Sequence, residues 1–152
     1  VDNEPIPDGC GLIVTLPPGS GQATVQKCGS INIGQTVDIP IAHNGYTMVT
    51  WPYDKEVSLD QSGLLQSGIL GGSTSRVADQ IYFFNGQTQR YDLAVFYCSS
   101  PSVRKWKYMN LTDCTRKLKP GEAFLIKTIS LSTFSNWHTV RPYGNTTLLL
   151  EE

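Results

Sequence analysis

At 152 residues, with a formal net charge of −1, 39% hydrophobic residues and only 16% charged ones, the chain suits one domain with a sizeable core. Three Trp, seven Tyr and five Phe exclude a disordered polymer, and no run nears the roughly 18 apolar residues of a membrane-spanning helix. The near-neutral charge argues against a nucleic-acid partner, and 14 Gly and 9 Pro point to short strands and many turns rather than helices.

Residues 1–9, VDNEPIPDG, read as an extended arm ahead of a β domain spanning 10–152. A polar, proline-rich start at valine is what signal removal leaves on an exported chain. Leu12, Val14 and Leu16 then alternate with Ile13 and Thr15 in a strand stopped by Pro17-Pro18-Gly19, and residues 23–27 return as its partner. Val37, Ile39 and Ile41 alternate next, followed by a His43-Asn44-Gly45 turn and a strand over 46–51 halted by Pro52. The stretch SLDQSGLLQSGILGGSTS, residues 58–75, fits one or two helical turns or a glycine-rich loop with inward leucines.

QIYFFNGQTQRYDLAVFYC, residues 80–98, is a hairpin with Asn85-Gly86 in a two-residue type I′ turn; Phe84 then pairs with Gln87, and Phe83 with Thr88. Its second strand is apolar on both faces, so both faces call for cover. Strands over 104–109, 123–127, 137–141 and 146–150 complete nine to eleven strands with no internal repeat. That pattern predicts an all-β fold, a β-sandwich or irregular β-barrel.

Four cysteines, Cys10, Cys28, Cys98 and Cys114, with no CxxC spacing, favour disulfides over a zinc site. Of the three connectivities, local pairing, Cys10–Cys28 and Cys98–Cys114, closes two similar loops worth about 3 kcal/mol each and implies an oxidising compartment. His43 and His138 are the only histidines, and GxSxG, HExxH and a complete P-loop are absent. No catalytic residue and no cofactor follow, although a hydrolase site around either histidine would be spatial rather than sequential. Two acidic groups, Asp2, Glu4, Asp8 and Asp54, Glu56, Asp60, offer oxygens that could hold a calcium ion but lack the register of a calcium loop.

Six of the twelve Lys and Arg crowd residues 104–119: Arg104, Lys105, Lys107, Arg116, Lys117 and Lys119, opposed there by Asp113 alone. Such a belt is either a solvated face, a partner for the acidic termini of another copy, or a site for an anionic polysaccharide. Asn110-Leu111-Thr112 and Asn145-Thr146-Thr147 fit the N-glycosylation acceptor pattern.

GYTMVTWPYD, then VADQIYFFNGQTQRYDLAVFYC, then Trp106, then LKPGEAFLIK resembles an ordered pattern in secreted bacterial β-modules of surface and exported proteins of the Planctomycetes–Verrucomicrobia kind. In those modules G-x-x-LVS-x-P, AD-x-IY-x-W, a Tyr-rich strand, a Trp and L-x-PG-x-GFWI follow one another. The likeness covers residues 45–127 and departs at Phe84, where the pattern has Trp, and at Ala123-Phe124-Leu125, where it has Gly-Phe-Trp. It implies export and a surface setting and carries no catalytic residue.

The function expected from these features is a secreted structural subunit, not an enzyme, that assembles with copies of itself into an extracellular filament or layer. Terminal strands exchanged between subunits would use Ile6, Leu12, Val14 and Leu16 of the arm and Leu148 and Leu150 of the tail, with Arg104, Lys105 and Lys107 meeting acidic termini. The alternative is a glycan-binding module that stacks sugars on Trp106, Tyr108 and Trp137.

Overall fold

Strands form where β-branched and aromatic residues alternate with polar ones, and turns fall at Gly, Pro, Asn and Asp. The computed structural model describes residues 17–19 and 36–142. Nine strands follow in chain order: β1 Thr36–Pro40, β2 Tyr46–Thr50, β3 Val57–Ser58, β4 Gln80–Asn85, β5 Arg90–Ser100, β6 Val103–Tyr108, β7 Lys117–Leu118, β8 Ala123–Lys127 and β9 Asn136–Val140. The fold is all-β, built of antiparallel sheets that form no closed barrel among the described residues.

Five strands make the main sheet, in the order β2-β8-β4-β5-β6, and β1-β9 and β3-β7 form two smaller ladders. The long return of β8 between β2 and β4 joins residues about eighty positions apart, with Met48 opposite Leu125 and Tyr82 opposite Leu125 on the other side. The stretch 58–75 holds only one short 3-10 turn, Leu59–Gln61, with a second at Ser75–Val77. Its glycines break any longer helix: Gly63 and Gly68 sit at φ +82° and +94°.

One face of the main sheet is the core. Val49, Phe124, Ile126, Ile81, Phe83, Val95 and Trp106 point into it, and β1-β9 packs over them through Val37, Ile39 and Trp137. Trp137 lies 6.0 Å from Trp51 and 5.8 Å from Phe124, ring centre to ring centre, and its Nε1 donates to the Ser62 carbonyl at 2.9 Å. Among the described residues the other face is covered at one end, where Ala78 and Val103 pack on Phe96 and Cys98.

Asp79 ties that end together. Fully buried, it accepts from the Leu70 and Ile129 amides and from the Ser132 hydroxyl, at 2.9, 3.0 and 2.6 Å. Gly72 then lies beside β5, accepting from the Ser99 amide and donating to the Tyr97 carbonyl. A Cβ on Gly72 would come within 2.6 Å of the Val77 carbonyl oxygen, so this approach requires glycine.

Two expectations are corrected here. The hairpin turn is longer than two residues: Asn85 pairs with Arg90 and Phe84 with Tyr91, and the register shifts between Phe83 and Phe84. The positive φ falls on Gln89, at 55°, while the Asn85 side chain accepts from the Gln87 amide. The Cys98–Cys114 disulfide is also absent, and both residues are free thiols. The sheet itself separates them. Cys98 points to the outer face with Phe96, whereas Cys114 packs on the core side beside Trp106, whose carbonyl accepts its amide at 2.9 Å. Cys10 and Cys28, the arm, and the predicted strands over 12–16, 23–27 and 146–150 lie outside the described residues.

Candidate functional site: an open sheet edge beside an aromatic face

The feature with most to offer a partner is the margin formed by β2. Thr128 donates its amide to the Gly45 carbonyl at 2.9 Å, and Tyr46 sits opposite Lys127. Antiparallel alternation then turns the backbone groups of Thr47 and Val49 towards β8 and those of Tyr46 and Met48 outward. Among the described residues no strand pairs with that outer side. The strand reads YTMVT, with no charge and no proline, so it lacks the devices that usually blunt an exposed edge.

The side chains of the same strand continue an apolar surface. Across the outer face run Met48, Leu125, Tyr82 and Ala94, in register over four strands. Tyr46 is 57% exposed and Phe84 40%. Tyr46 packs against Tyr82 with ring centres 6.0 Å apart, Phe84 against Tyr91 at 5.4 Å, and the Lys127 ammonium lies over the Tyr46 ring at 5.6 Å. Burial in this patch pushes the Tyr82 phenol up from its ordinary value. The rings are inclined by 55° and 63°, so they form a packing surface rather than a flat platform.

The tryptophans expected to stack on sugars are corrected by their burial. Trp106 is 3% exposed and Trp137 fully buried, and Tyr108 is half-buried on the core side. Neither tryptophan shows a ring face to solvent. Tyr108 instead neighbours the Cys114 thiol. Burial raises both groups, and their mutual hydrogen bond raises the phenol further.

The basic belt carries its own counter-charges. Lys107 and Lys105 both pair with Asp113, Arg116 with Glu122 while lying over the Phe83 ring, and Lys117 with Glu56. The Lys107 and Lys105 ammonium groups hold the Asp113 carboxyl below its usual range, and Lys117 does the same to Glu56. Arg104 and Lys119 make no ion pair among the described residues, so little of the expected positive field remains.

A shallow cavity of about 300 Å³ lies beside β9, lined by Gln61, Gly63, Gln66, Ser67, His138 and Val140. His138 Nδ1 is 2.7 Å from the Asp38 carboxylate, and Ser67 is close. The Ser67 hydroxyl, however, donates to backbone carbonyls of Gly63 and His138 and accepts from the His138 amide, so the imidazole does not activate it. His43 is exposed on its turn. Among the described residues no three His, Cys, Asp or Glu side chains converge to hold a metal ion, Asp54, Glu56 and Asp60 included. No helix among them is long and apolar enough to cross a membrane.

No protein family, curated protein or solved structure matches the chain. The uncharged edge strand went unnoticed in the sequence because edge and centre read alike there. The signal available was YTMVT itself, apolar on one face, aromatic on the other and free of gatekeeper charges.

Proposed function

We propose that the protein is an extracellular structural subunit that self-assembles by taking a strand from a neighbouring copy onto the outer side of β2. The observation that carries this reading is the uncharged edge at Tyr46 and Met48, which no strand among the described residues pairs, continuous with the half-exposed aromatic face. An added strand there gains backbone hydrogen bonds along the edge and covers apolar area on both sides. The alternating segments containing Leu12, Val14 and Leu16, or Leu148 and Leu150, have the composition of such a donor. A donor on one copy and an acceptor edge on the next make a head-to-tail contact that does not close, which builds filaments. The extracellular setting rests on the low charge and the resemblance to exported modules, since Cys98 and Cys114 are unpaired.

The test is negative-stain electron microscopy of the native protein beside the full chain carrying Tyr46→Lys and Met48→Lys. Filaments from the native chain and dispersed particles from the variant are expected, with the melting temperature nearly unchanged. Dispersed native subunits at high concentration, or filaments unaffected by the two lysines, would end this reading.

A further inference from the structure

The outer margin of β6 ends in a turn that the assembly reading does not use. Tyr108 accepts from the Leu111 amide at 2.9 Å and donates its own amide to the Thr112 carbonyl at 3.0 Å, which closes the turn. Leu111, at φ +66° and 61% exposed, forms its tip, with exposed Asn110 and Thr112 on either side. The Asn110 Oδ1 accepts from the Thr112 hydroxyl at 2.7 Å and from the Thr112 amide at 3.2 Å. The carbonyl half of the side chain is therefore committed to the turn, and Nδ2, exposed with its residue, makes no hydrogen bond among the described residues.

We infer that Asn110 is a site of N-glycosylation. The acceptor triplet Asn110-Leu111-Thr112 coincides with a protruding, hydrogen-bonded turn whose asparagine and threonine side chains already contact each other. The sugar donor is a lipid-pyrophosphate-linked oligosaccharide. A bond forms between Asn110 Nδ2 and the sugar C1, the C1–oxygen bond to the pyrophosphate breaks, the lipid pyrophosphate leaves, and one amide proton passes to a base of the transferase. No group is oxidised or reduced. Asn110 stands at the β6 margin, and β2 bounds the sheet on the opposite side, four strand spacings or roughly 19 Å away. A glycan there shields the margin that is already closed and leaves β2 clear, so this inference goes beyond the self-assembly reading and does not depend on it.

The experiment is mass spectrometry of tryptic peptides from protein isolated from its own source. Cleavage after Lys107 and Arg116 isolates the peptide of residues 108–116. It is expected as a glycopeptide that loses its sugar to a peptide amidase, with Asn110 converted to Asp. Expressed in a host that glycosylates exported proteins, Asn110→Gln and Thr112→Ala lose the added mass while Thr112→Ser keeps it. Recovery of the native peptide wholly without sugar overturns the inference, whatever the micrographs show about filaments.

Discussion

β6 and β2 bound the same five-stranded sheet and manage their free backbone in opposite ways. Beyond β6 the chain folds back: Thr112 and Cys114 take the outward groups of Tyr108 and Trp106, and Lys105, Lys107 and Asp113 lay charge across the strand. β1, in the smaller ladder, carries Asp38 and Pro40, two residues that discourage strand addition. β9 is shielded by the 63–67 turn, where a Cβ on Gly63 would meet the His138 carbonyl oxygen at 2.6 Å. Only β2 among these margins has neither charge, proline nor cover from the described residues. A lysine or a proline is enough to blunt an edge, so among the described residues β2 differs from the guarded margins in lacking either.

The largest effect is expected at the end of β5 that Gly72 closes and Asp79 holds in place. Asp79→Ala strands three donors, the buried Ser132 Oγ and the part-buried Leu70 N and Ile129 N. At about 1–3 kcal/mol for each group left unpaired, the loss is on the order of 4 kcal/mol or more. Urea unfolding should show a large drop in midpoint. A drop under about 1 kcal/mol would mean that this end of the sheet stays closed without the carboxylate.

A pair of prolines sharpens the contrast between inward and outward groups on β2. Val49→Pro removes an amide that bonds β8 and a side chain that is fully buried, so about 3 kcal/mol or more of stability should go. Met48→Pro removes only an outward amide. On an edge whose N–H faces solvent that is tolerated, so about 1 kcal/mol or less is expected, together with loss of filaments. Equal damage from the two would show that the Met48 amide is already bonded within its own subunit, and the open edge would have to be abandoned.

Much of the fold was legible because strand periodicity is local. β1, β2, β4, β5, β6, β8 and β9 each carry an alternating or apolar run that identifies them. The two-residue strands β3 and β7 carry no periodicity and exist only because Val57 and Leu118 meet in the core. The order β2-β8-β4 is set by tertiary packing, which no short window contains. Trp106 was in fact readable: its neighbours Lys105 and Lys107 are charged and belong on the opposite face, so alternation sends the indole inward. The cysteine pairing failed for a related reason. Cys98 follows the phase of Phe96, but the phase of Cys114 depends on the turn after β6, where Leu111 takes a positive φ that its residue type does not announce.

The smallest effect is electrostatic and concerns Asp113 at the guarded β6 margin and Glu56 beside the β3-β7 ladder. Asp113 and Glu56 titrate below their ordinary ranges of about 3.9 and 4.3 because lysines favour their charged forms. For a carboxyl whose value falls on folding, the added stability is complete above the unfolded value and is lost as pH drops through the folded one. The melting temperature should therefore be flat between about pH 7 and pH 5 as far as these pairs contribute, and decline only below about pH 4. Both carboxylates are about half exposed and screened by solvent, so the decline should be slight and shrink in 1 M salt. At neutral pH, Asp113→Asn should leave the fold intact and delay elution from a cation exchanger, because Lys105 and Lys107 lose their shared counter-charge. If that variant also opened the β6 margin to filament branching, charge rather than the backbone bonds of Thr112 and Cys114 would be what keeps the margin closed.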